Sequence, residues 1–223
     1  MNQKLYMVSL GPGDAQLLTY KALKAFENSD AICVPTKSPD NSFNKSISHK
    51  IVSDALKLLG VEKTLIPVYS PMRFNHNDWE NETDIILETL QKYNSVSFVT
   101  IGDAGIYSSI YYLLDIIKEK NPKVHKSCEV IPGVTSFSAA SAKVQKALCL
   151  GDEELLIKPI NPRKDVKTTE ILMRPKIGMD TEVLGEGDFY TFENMYLDDA
   201  KITPSKIEKV KKYMTLLINF ARR

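Results

Sequence analysis

Apolar runs of strand length alternate with stretches of helical periodicity through the first half of the chain. Strands are predicted at residues 5–10, 31–35, around 65 and at 96–101. Helices are predicted at residues 17–26, 44–59, 79–93 and 106–118. Because strands and helices alternate, we expect a mostly parallel sheet that helices cover on both faces.

The second half of the chain is richer in strands. They are predicted at residues 129–131, 155–157, 171–173, 189–192 and 214–220. A helix is predicted at 204–212, with Thr203 as its cap and Pro204 in its first position.

A domain boundary is predicted just after Asn121-Pro122, which ends the preceding helical pattern. We expect an α/β fold of two domains. The N-terminal domain at 1–123 has the mostly parallel sheet, and the smaller C-terminal α/β domain at 124–223 has a mixed sheet.

Composition and charge exclude several classes of partner. The chain has 223 residues, of which 43% are hydrophobic, and a formal net charge of +1. It therefore offers no global attraction to nucleic acid or membrane. No apolar run approaches the roughly 20 residues of a membrane span, and the first residues lead into a strand pattern instead of a signal peptide. We expect a cytoplasmic protein.

Cysteine and histidine spacing gives no sign of a metal site. The three cysteines, Cys33, Cys128 and Cys149, are widely spaced in apolar surroundings, and we expect all three to be buried small hydrophobes. The three histidines show no ligand spacing either, so no protein-bound metal is predicted.

Glycine-containing turns follow three of the predicted strands, at 11–14, 102–105 and 132–136. In open α/β sheets, ligands bind outside the carboxyl ends of the strands, where loops and helix N-termini present backbone N–H groups. A single turn of this kind is more often only structural, but three favour a shared ligand site. The first turn lacks the third glycine of a dinucleotide fingerprint, and no phosphate-loop lysine or nucleophile elbow is present.

The same turns carry a family resemblance. VSLGPGD at 8–14, GDAGIYS at 102–108 and IPGVTS at 131–136 resemble the signatures of the tetrapyrrole methylases, S-adenosylmethionine enzymes with two α/β domains. Several segments are similar to the branch that methylates C-20 of precorrin-2: residues 34–37, 67–72 before Trp79, 107–108, 136–140, 151–153 and 213–218. The resemblance runs through residues 3–157 and resumes near 188.

Two departures from the family pattern stand out. Ala104 replaces the family's proline, which loosens the turn but keeps its backbone groups. Between residues 157 and 189 the amphipathic crossovers of the family are missing. Either the second domain is shortened, or the sequence omits segments of the source protein.

The resemblance implies methyl transfer from S-adenosylmethionine to C-20 of precorrin-2, or of its cobalt counterpart cobalt-factor II, in cobalamin biosynthesis. S-adenosylhomocysteine would be the second product, and a homodimer is implied. Two alternatives remain open: another tetrapyrrole methylase of the same fold, and a non-catalytic protein that binds a tetrapyrrole or a nucleotide.

The resemblance also implies an active cleft between the two predicted domains and a set of site residues. Asp14 is the catalytic candidate and faces the reacting centre with Pro12. Asp14 alternatively caps a helix, Asp103 stabilises a turn, and Tyr107 and Met173 pack in a core. The cofactor-binding set is Pro12, Gly102, Asp103, Ala104, Tyr107, Thr135, Ser136 and Met173.

Substrate recognition is expected from basic residues, because the tetrapyrrole substrate carries many carboxylates. Lys37, Arg73 and His76 lie on loops at the carboxyl edge of the predicted sheet. The alternative interpretation is that these three residues are ordinary solvent-exposed surface residues.

Overall fold

The structure is a computed structural model that describes residues 3–44, 46–71, 73–160 and 166–221. The chain divides into two compact units, Met1–Leu155 and Leu156–Arg223. No helix among the described residues is long and apolar enough to cross a membrane.

The first unit is built on a five-stranded sheet in the order β3-β2-β4-β1-β5, and every pairing in it is parallel. Residues 31–34 of the second strand are all buried, as expected for a strand with helices on both faces. The parallel α/β prediction is confirmed. The strands are β1 (Lys4–Ser9), β2 (Ala31–Thr36), β3 (Thr64–Tyr69), β4 (Ser95–Thr100) and β5 (Glu129–Ile131).

Helices alternate with these strands, and most begin at a side-chain cap. Thr19 accepts a hydrogen bond from the Ala22 N–H, and Ser46 accepts one from the His49 N–H. A short 3-10 helix, Ala15–Leu17, follows β1. The helices are α1 (Tyr20–Asn28), α2 (Ile47–Leu59), α3 (His76–Lys92), α4 (Ile110–Lys120), α5 (Pro122–Ser127) and α6 (Ser136–Val144).

Two hydrophobic cores lie on the two faces of this sheet. One packs α3, α4 and α5 around buried Phe98 and Ile86, and the other packs α1 and α2 around buried Phe26 and Ile51. Because each strand supplies side chains to both cores, the strand ends are held firmly at the edge where the turns leave.

The first unit continues beyond the predicted boundary at 123/124. Asn121 accepts a hydrogen bond from the Val124 N–H and Pro122 takes the first helical position, so this dipeptide starts α5 instead of a linker. β5 then pairs in parallel with β1, with Val8 opposite Ile131. The predicted break is therefore a helix-to-helix joint inside the first unit.

The second unit contains an antiparallel four-stranded sheet in the order β6-β9-β7-β8, where a mixed sheet was predicted. Its described residues contain no α-helix, only a 3-10 helix at Glu182–Leu184, so no helical crossover returns a strand in parallel. The strands are β6 (Glu170–Leu172), β7 (Asp188–Glu193), β8 (Lys201–Thr203) and β9 (Thr215–Phe220).

Two local predictions for this unit are wrong. Residues 155–157 are not a strand, and 204–212 is not a helix. The Val210 N–H donates to the Met179 carbonyl, and the Val210 carbonyl accepts from the Gly178 N–H, so the backbone around Val210 pairs with the turn at residues 177–179. Residues 161–165, which belong to the stretch without amphipathic crossovers, lie outside the described residues.

The cysteines differ from one another in exposure. Cys33 is buried as predicted, Cys128 is half-buried and Cys149 is exposed. Cys149 lies in the irregular segment after α6.

Substitution of Asn121 tests whether α5 belongs to the first unit. Asn121→Ala removes the side-chain cap, and we expect the free energy of unfolding to fall by about 1 kcal/mol. Urea denaturation measures this, with Lys123→Ala, an exposed position of the same helix, as the control. Equal stability of the two variants would mean that 121–127 behaves as a linker.

Candidate active site

The three glycine turns leave adjacent strands at one edge of the sheet. β4, β1 and β5 are neighbours and run in parallel, so their carboxyl ends lie together. The Gly102 N–H donates to the Gly11 carbonyl at 2.8 Å, and the Gly11 N–H donates to the Gly102 carbonyl at 3.1 Å. Both glycines have positive φ, +70° at Gly11 and +78° at Gly102, which other residues adopt with strain. The first two turns are therefore joined through their backbones.

The third turn meets the other two at Gly133. A Cβ on Gly133 would lie 2.6 Å from the Ser9 Cβ and 2.9 Å from the Gly102 carbonyl oxygen. Neither distance is tolerable, and the second neighbour is backbone. The absence of a side chain at Gly133 thus permits the close approach of the three turns.

Two side chains fasten the turns to one another. The Ser9 Oγ at the end of β1 accepts from the Ala104 N–H at 2.9 Å, and this bond is buried. The Asp103 carboxylate accepts from the Gly105 N–H through Oδ1 and from the Gly133 N–H through Oδ2, both at 2.7 Å. Asp103 therefore has the turn-stabilising role, and it links the second turn to the third. A direct contact between its carboxylate and a cofactor stays a prediction.

Open space adjoins the joined turns. A Cβ on Gly102 or on Gly13 would meet no atom within 4 Å. Among the residues that the structure describes, the backbone N–H groups of Asp103 and Tyr107 have no hydrogen-bond partner. Unpaired amide donors beside open space fit a polar ligand.

Tyr107 points outward from this region. Its φ is +52° and its side chain is 71% exposed, so it is not a core aromatic residue. Ala104, by contrast, is buried and packs into the core below the turn. Of these two, only Tyr107 is able to offer a side chain to a ligand.

Thr135 and Ser136 stand at the start of α6. The Thr135 Oγ1 accepts from the Ser138 N–H at 3.3 Å, so Thr135 is the helix cap and Ser136 is the first helical residue. The N-terminus of α6 adds a partial positive charge beside the third turn.

Asp14 caps the 3-10 helix after the first turn. Its Oδ1 accepts from the Gln16 N–H at 2.9 Å, and the residue is exposed. Pro12, two residues earlier, is half-buried. Asp14 also lines an open hollow of about 620 Å³ with Lys50 and Lys57. The capping alternative is thus present, and a catalytic role for Asp14 stays a prediction.

Met173 belongs to the second unit, directly after β6. It is 72% exposed, so it does not pack in the core of that unit. Its contact with cofactor stays a prediction.

The predicted substrate residues follow β2 and β3, which are paired along their whole length. Lys37 is exposed after β2. Arg73 is not an isolated charge, because its guanidinium donates to both oxygens of Asp78 at 3.0 and 2.9 Å. His76 begins α3 and lies 3.8 Å from Glu80. All three predicted residues lie at the sheet edge from which the glycine turns leave.

The sequence pattern did not predict the roles of several residues at this edge of the sheet. In the sequence, Ser9 resembles any residue of an apolar strand. Asp78 resembles the acidic residues that are common in the first turn of a helix. An aromatic cluster also lies here: Trp79 stacks on Tyr112 with 4.1 Å between ring centroids, and Phe74 meets both edge-on. The pairing of Trp79 with Tyr112 joins α3 to α4.

Comparison with known proteins decides the family. The model of the Tetrapyrrole (Corrin/Porphyrin) Methylases matches residues 4–183. The chain belongs to the tetrapyrrole methylases. It is accordingly a methyltransferase that uses S-adenosylmethionine and releases S-adenosylhomocysteine.

Two curated methylases are similar to this chain. A probable cobalt-precorrin-2 C(20)-methyltransferase of Methanocaldococcus jannaschii is 29% identical over 97% of this chain and 95% of its own length. The cobalt-precorrin-2 C(20)-methyltransferase of Salmonella typhimurium is 27% identical over 70% of this chain and 63% of its own length.

A solved structure shares the fold. A putative cobalamin synthesis related protein (CobF) from Corynebacterium diphtheriae superposes with a TM-score of 0.57, covering 98% of both chains at 13% identity. At that identity the likeness concerns the fold alone.

The glycine turns fit the cofactor of a tetrapyrrole methylase. They combine open space with the unpaired amides of Asp103 and Tyr107, so the chain can hold the cofactor largely through its backbone. No group of three or more His, Cys, Asp or Glu residues within the described ranges could hold a metal ion.

Substitution of Asp103 tests the link between the turns. Asp103→Asn keeps the shape but turns an amide N–H₂ toward one of two backbone donors. We expect S-adenosylhomocysteine to bind about tenfold more weakly, since an unsatisfied half-buried donor costs roughly 1–3 kcal/mol. Calorimetry measures the affinity, and Asp115→Asn, exposed on α4, is the control. The same affinity in both variants would show that the link does not shape the site.

Proposed function

We propose that this tetrapyrrole methylase methylates C-20 of precorrin-2 or of its cobalt-containing counterpart, in cobalamin biosynthesis. The observation that carries the proposal is the length of the similarity to the M. jannaschii protein, named a probable C(20)-methyltransferase, which spans 97% of this chain. Two segments that resemble the C-20 branch, at 34–37 and from residue 67 onward, include the carboxyl ends of β2 and β3, at the same edge of the sheet as the glycine turns.

Positioning is the main contribution asked of the protein. The sulfonium of S-adenosylmethionine supplies a methyl group that needs no further activation. Fixing two reactants in line lowers a barrier by about 7–11 kcal/mol in favourable cases. The bonded pair Gly11–Gly102, with Ser9 and Asp103 behind it, gives the turns one arrangement in which to hold the cofactor. Thr135, Ser136 and the N-terminus of α6 complete the cofactor-binding set on this unit.

Substrate carboxylates would be met by the neighbouring loops. Lys37, Arg73 and His76 provide cationic or hydrogen-bonding groups within one stretch of the sheet edge. The aromatic cluster of Phe74, Trp79 and Tyr112 lies beside Arg73 and is partly exposed, so it offers an apolar surface next to the charges. A flat macrocycle with a carboxylated rim needs both.

One proton must leave the methylated carbon. The new carbon–carbon bond forms as the sulfur–methyl bond breaks, and the hydrogen on that carbon departs as a proton to a base. Asp14 is the candidate acceptor. Its Oδ1 is engaged by Gln16, and within the described parts of the chain no donor hydrogen-bonds to Oδ2.

Product analysis tests the proposal directly. The protein is incubated with S-adenosylmethionine and either precorrin-2 or cobalt-precorrin-2, and products are read by mass spectrometry and carbon NMR. We expect one methyl group to be added at C-20 of at least one substrate, with one equivalent of S-adenosylhomocysteine. Methylation at another ring carbon would contradict the C-20 proposal and indicate a different methylase of the family. Cofactor binding without turnover on either substrate would indicate a non-catalytic binder.

A further inference from the structure

A carboxylic acid occupies a core position of α3. Buried residues recur along this helix at Glu82, Ile86 and Leu90, which are 2%, 0% and 1% exposed. This spacing of four residues is the apolar stripe by which a helix packs on a sheet. Glu82 therefore stands where packing alone favours an apolar side chain.

Within the described residues, only one of the two carboxylate oxygens of Glu82 has a hydrogen-bond partner. The Ser70 Oγ, directly after β3, donates to the Glu82 Oε1 at 2.9 Å. The other oxygen, Oε2, is buried and has no hydrogen-bond partner within the described residues. Among the described residues, an ionised carboxylate in this position has neither a cation nor a second donor, and an unpaired buried charge is unfavourable.

The surroundings of Glu82 favour its protonated form. Burial is the largest cause and raises the pKa of Glu82 to about 7, the hydrogen bond from Ser70 opposes this, and the charge of Asp78 adds to it. Asp78 lies one helical turn before Glu82. The elements around this position contribute these titratable or charged groups: Asp78, Arg73, His76 and Glu80 near the start of α3, Cys33 from β2, Tyr69 from β3 and Tyr112 from α4.

Glu82 and Arg73 are both neighbours of Asp78, Glu82 one helical turn after it and Arg73 through hydrogen bonds. The Arg73 guanidinium is held at the surface by both Asp78 oxygens, at 3.0 and 2.9 Å. With Glu82 neutral, Asp78 is the one carboxylate that acts on Arg73 from this turn of the helix. With Glu82 ionised, two carboxylates four residues apart share one guanidinium, and the buried Oε2 becomes a strong acceptor without a donor.

We propose that Glu82 is a positioning residue for Arg73: its proton keeps Arg73 on Asp78 at the surface, and loss of that proton draws the guanidinium inward. The consequence for substrate rests on the proposed function, in which Arg73 meets a tetrapyrrole carboxylate. Ionised Glu82 makes Arg73 less available and adds negative charge beside an anionic substrate. Substrate binding should therefore weaken as the pH rises through neutrality, while the methyl-transfer step is unchanged.

The raised pKa of Glu82 also determines how the stability of the folded protein changes with pH. The pKa of Glu82 is higher in the folded state than its ordinary value of 4.5, so the folded state holds the proton more tightly. Stability is then lost as the pH rises from about 4.5 to about 7 and is level above that range. Glu82→Gln is neutral at every pH and keeps an acceptor for Ser70. This variant should be more stable than the parent at pH 8 and should lose that advantage in acid.

Trp79 provides a readout that needs no substrate. It is the single tryptophan of the chain and lies directly after Asp78, against Phe74 and Tyr112. We expect its fluorescence in the free protein to change with a midpoint near pH 7 and this transition to vanish in Glu82→Gln. It should persist in Glu88→Gln, an exposed acid on the same helix. It should also persist in His76→Asn, a substitution of the first residue of the helix.

A second variant keeps the proposal testable if Glu82→Gln folds poorly. Ser70→Ala removes the hydrogen bond that favours ionised Glu82, so the fluorescence midpoint should move to higher pH.

Turnover assays test the consequence for the substrate. KM for the tetrapyrrole should rise about fivefold across the transition, which corresponds to the loss of one exposed charge pair, and kcat should be unchanged. The fluorescence experiment tests the role of Glu82 even if the protein does not methylate C-20. A transition that survives Glu82→Gln, disappears in His76→Asn, or keeps its midpoint in Ser70→Ala would overturn the proposal.

Discussion

The close approach of three turns at Gly133 is the constraint on which the site depends. A side chain there would collide with the Ser9 Cβ and the Gly102 carbonyl oxygen, at 2.6 and 2.9 Å. With glycine, β5 can bring its turn against the joined turns of β1 and β4. The remaining features follow from this contact: Asp103 reaches the Gly133 N–H, and α6 begins immediately afterward. A parallel sheet with cores on both faces is what holds the three strand ends still enough for such contacts to persist.

The sheet edge contains two regions with different chemistry. Over β4, β1 and β5 the polar groups are mostly backbone, and the side chains of Ser9 and Asp103 are used to hold that backbone in place. Over β2 and β3 the polar groups are side chains, including the Arg73–Asp78 pair and Lys37. Rigid amides suit a cofactor of constant shape. Side chains that can exchange partners suit recognition of carboxylates, and they allow a buried acid such as Glu82 to influence binding.

Much of the first unit could be predicted from the sequence, because its signals are long and repeated. Apolar strands and amphipathic helices alternate, and the glycine turns fall at strand ends, so the parallel sheet and the meeting of the three turns at one edge follow. The features that could not be predicted are short elements and single polar residues. α5 begins at a proline that also ends helices, and β8 has three residues. The segment around Val210 has a helical pattern but pairs through its backbone with residues 178–179. Ser9 and Glu82 carry no pattern that reveals their partners, since one looks like any strand residue and the other like any helix acid.

The central claim is that the joined turns hold S-adenosylmethionine through backbone amides, and an amide map with S-adenosylhomocysteine tests it most directly. Two-dimensional NMR of the labelled protein is recorded as the ligand is added to saturation. The account predicts that the largest amide shifts lie at residues 102–107, 11–14 and 133–136, with Asp103 and Tyr107 among them. It also predicts little change at the opposite end of the sheet, where Lys4 and Lys21 pair with Glu129. Saturable binding that leaves the amides of 102–107 unchanged, or that shifts mainly the amides of α2 around Lys50 and Lys57, would contradict it.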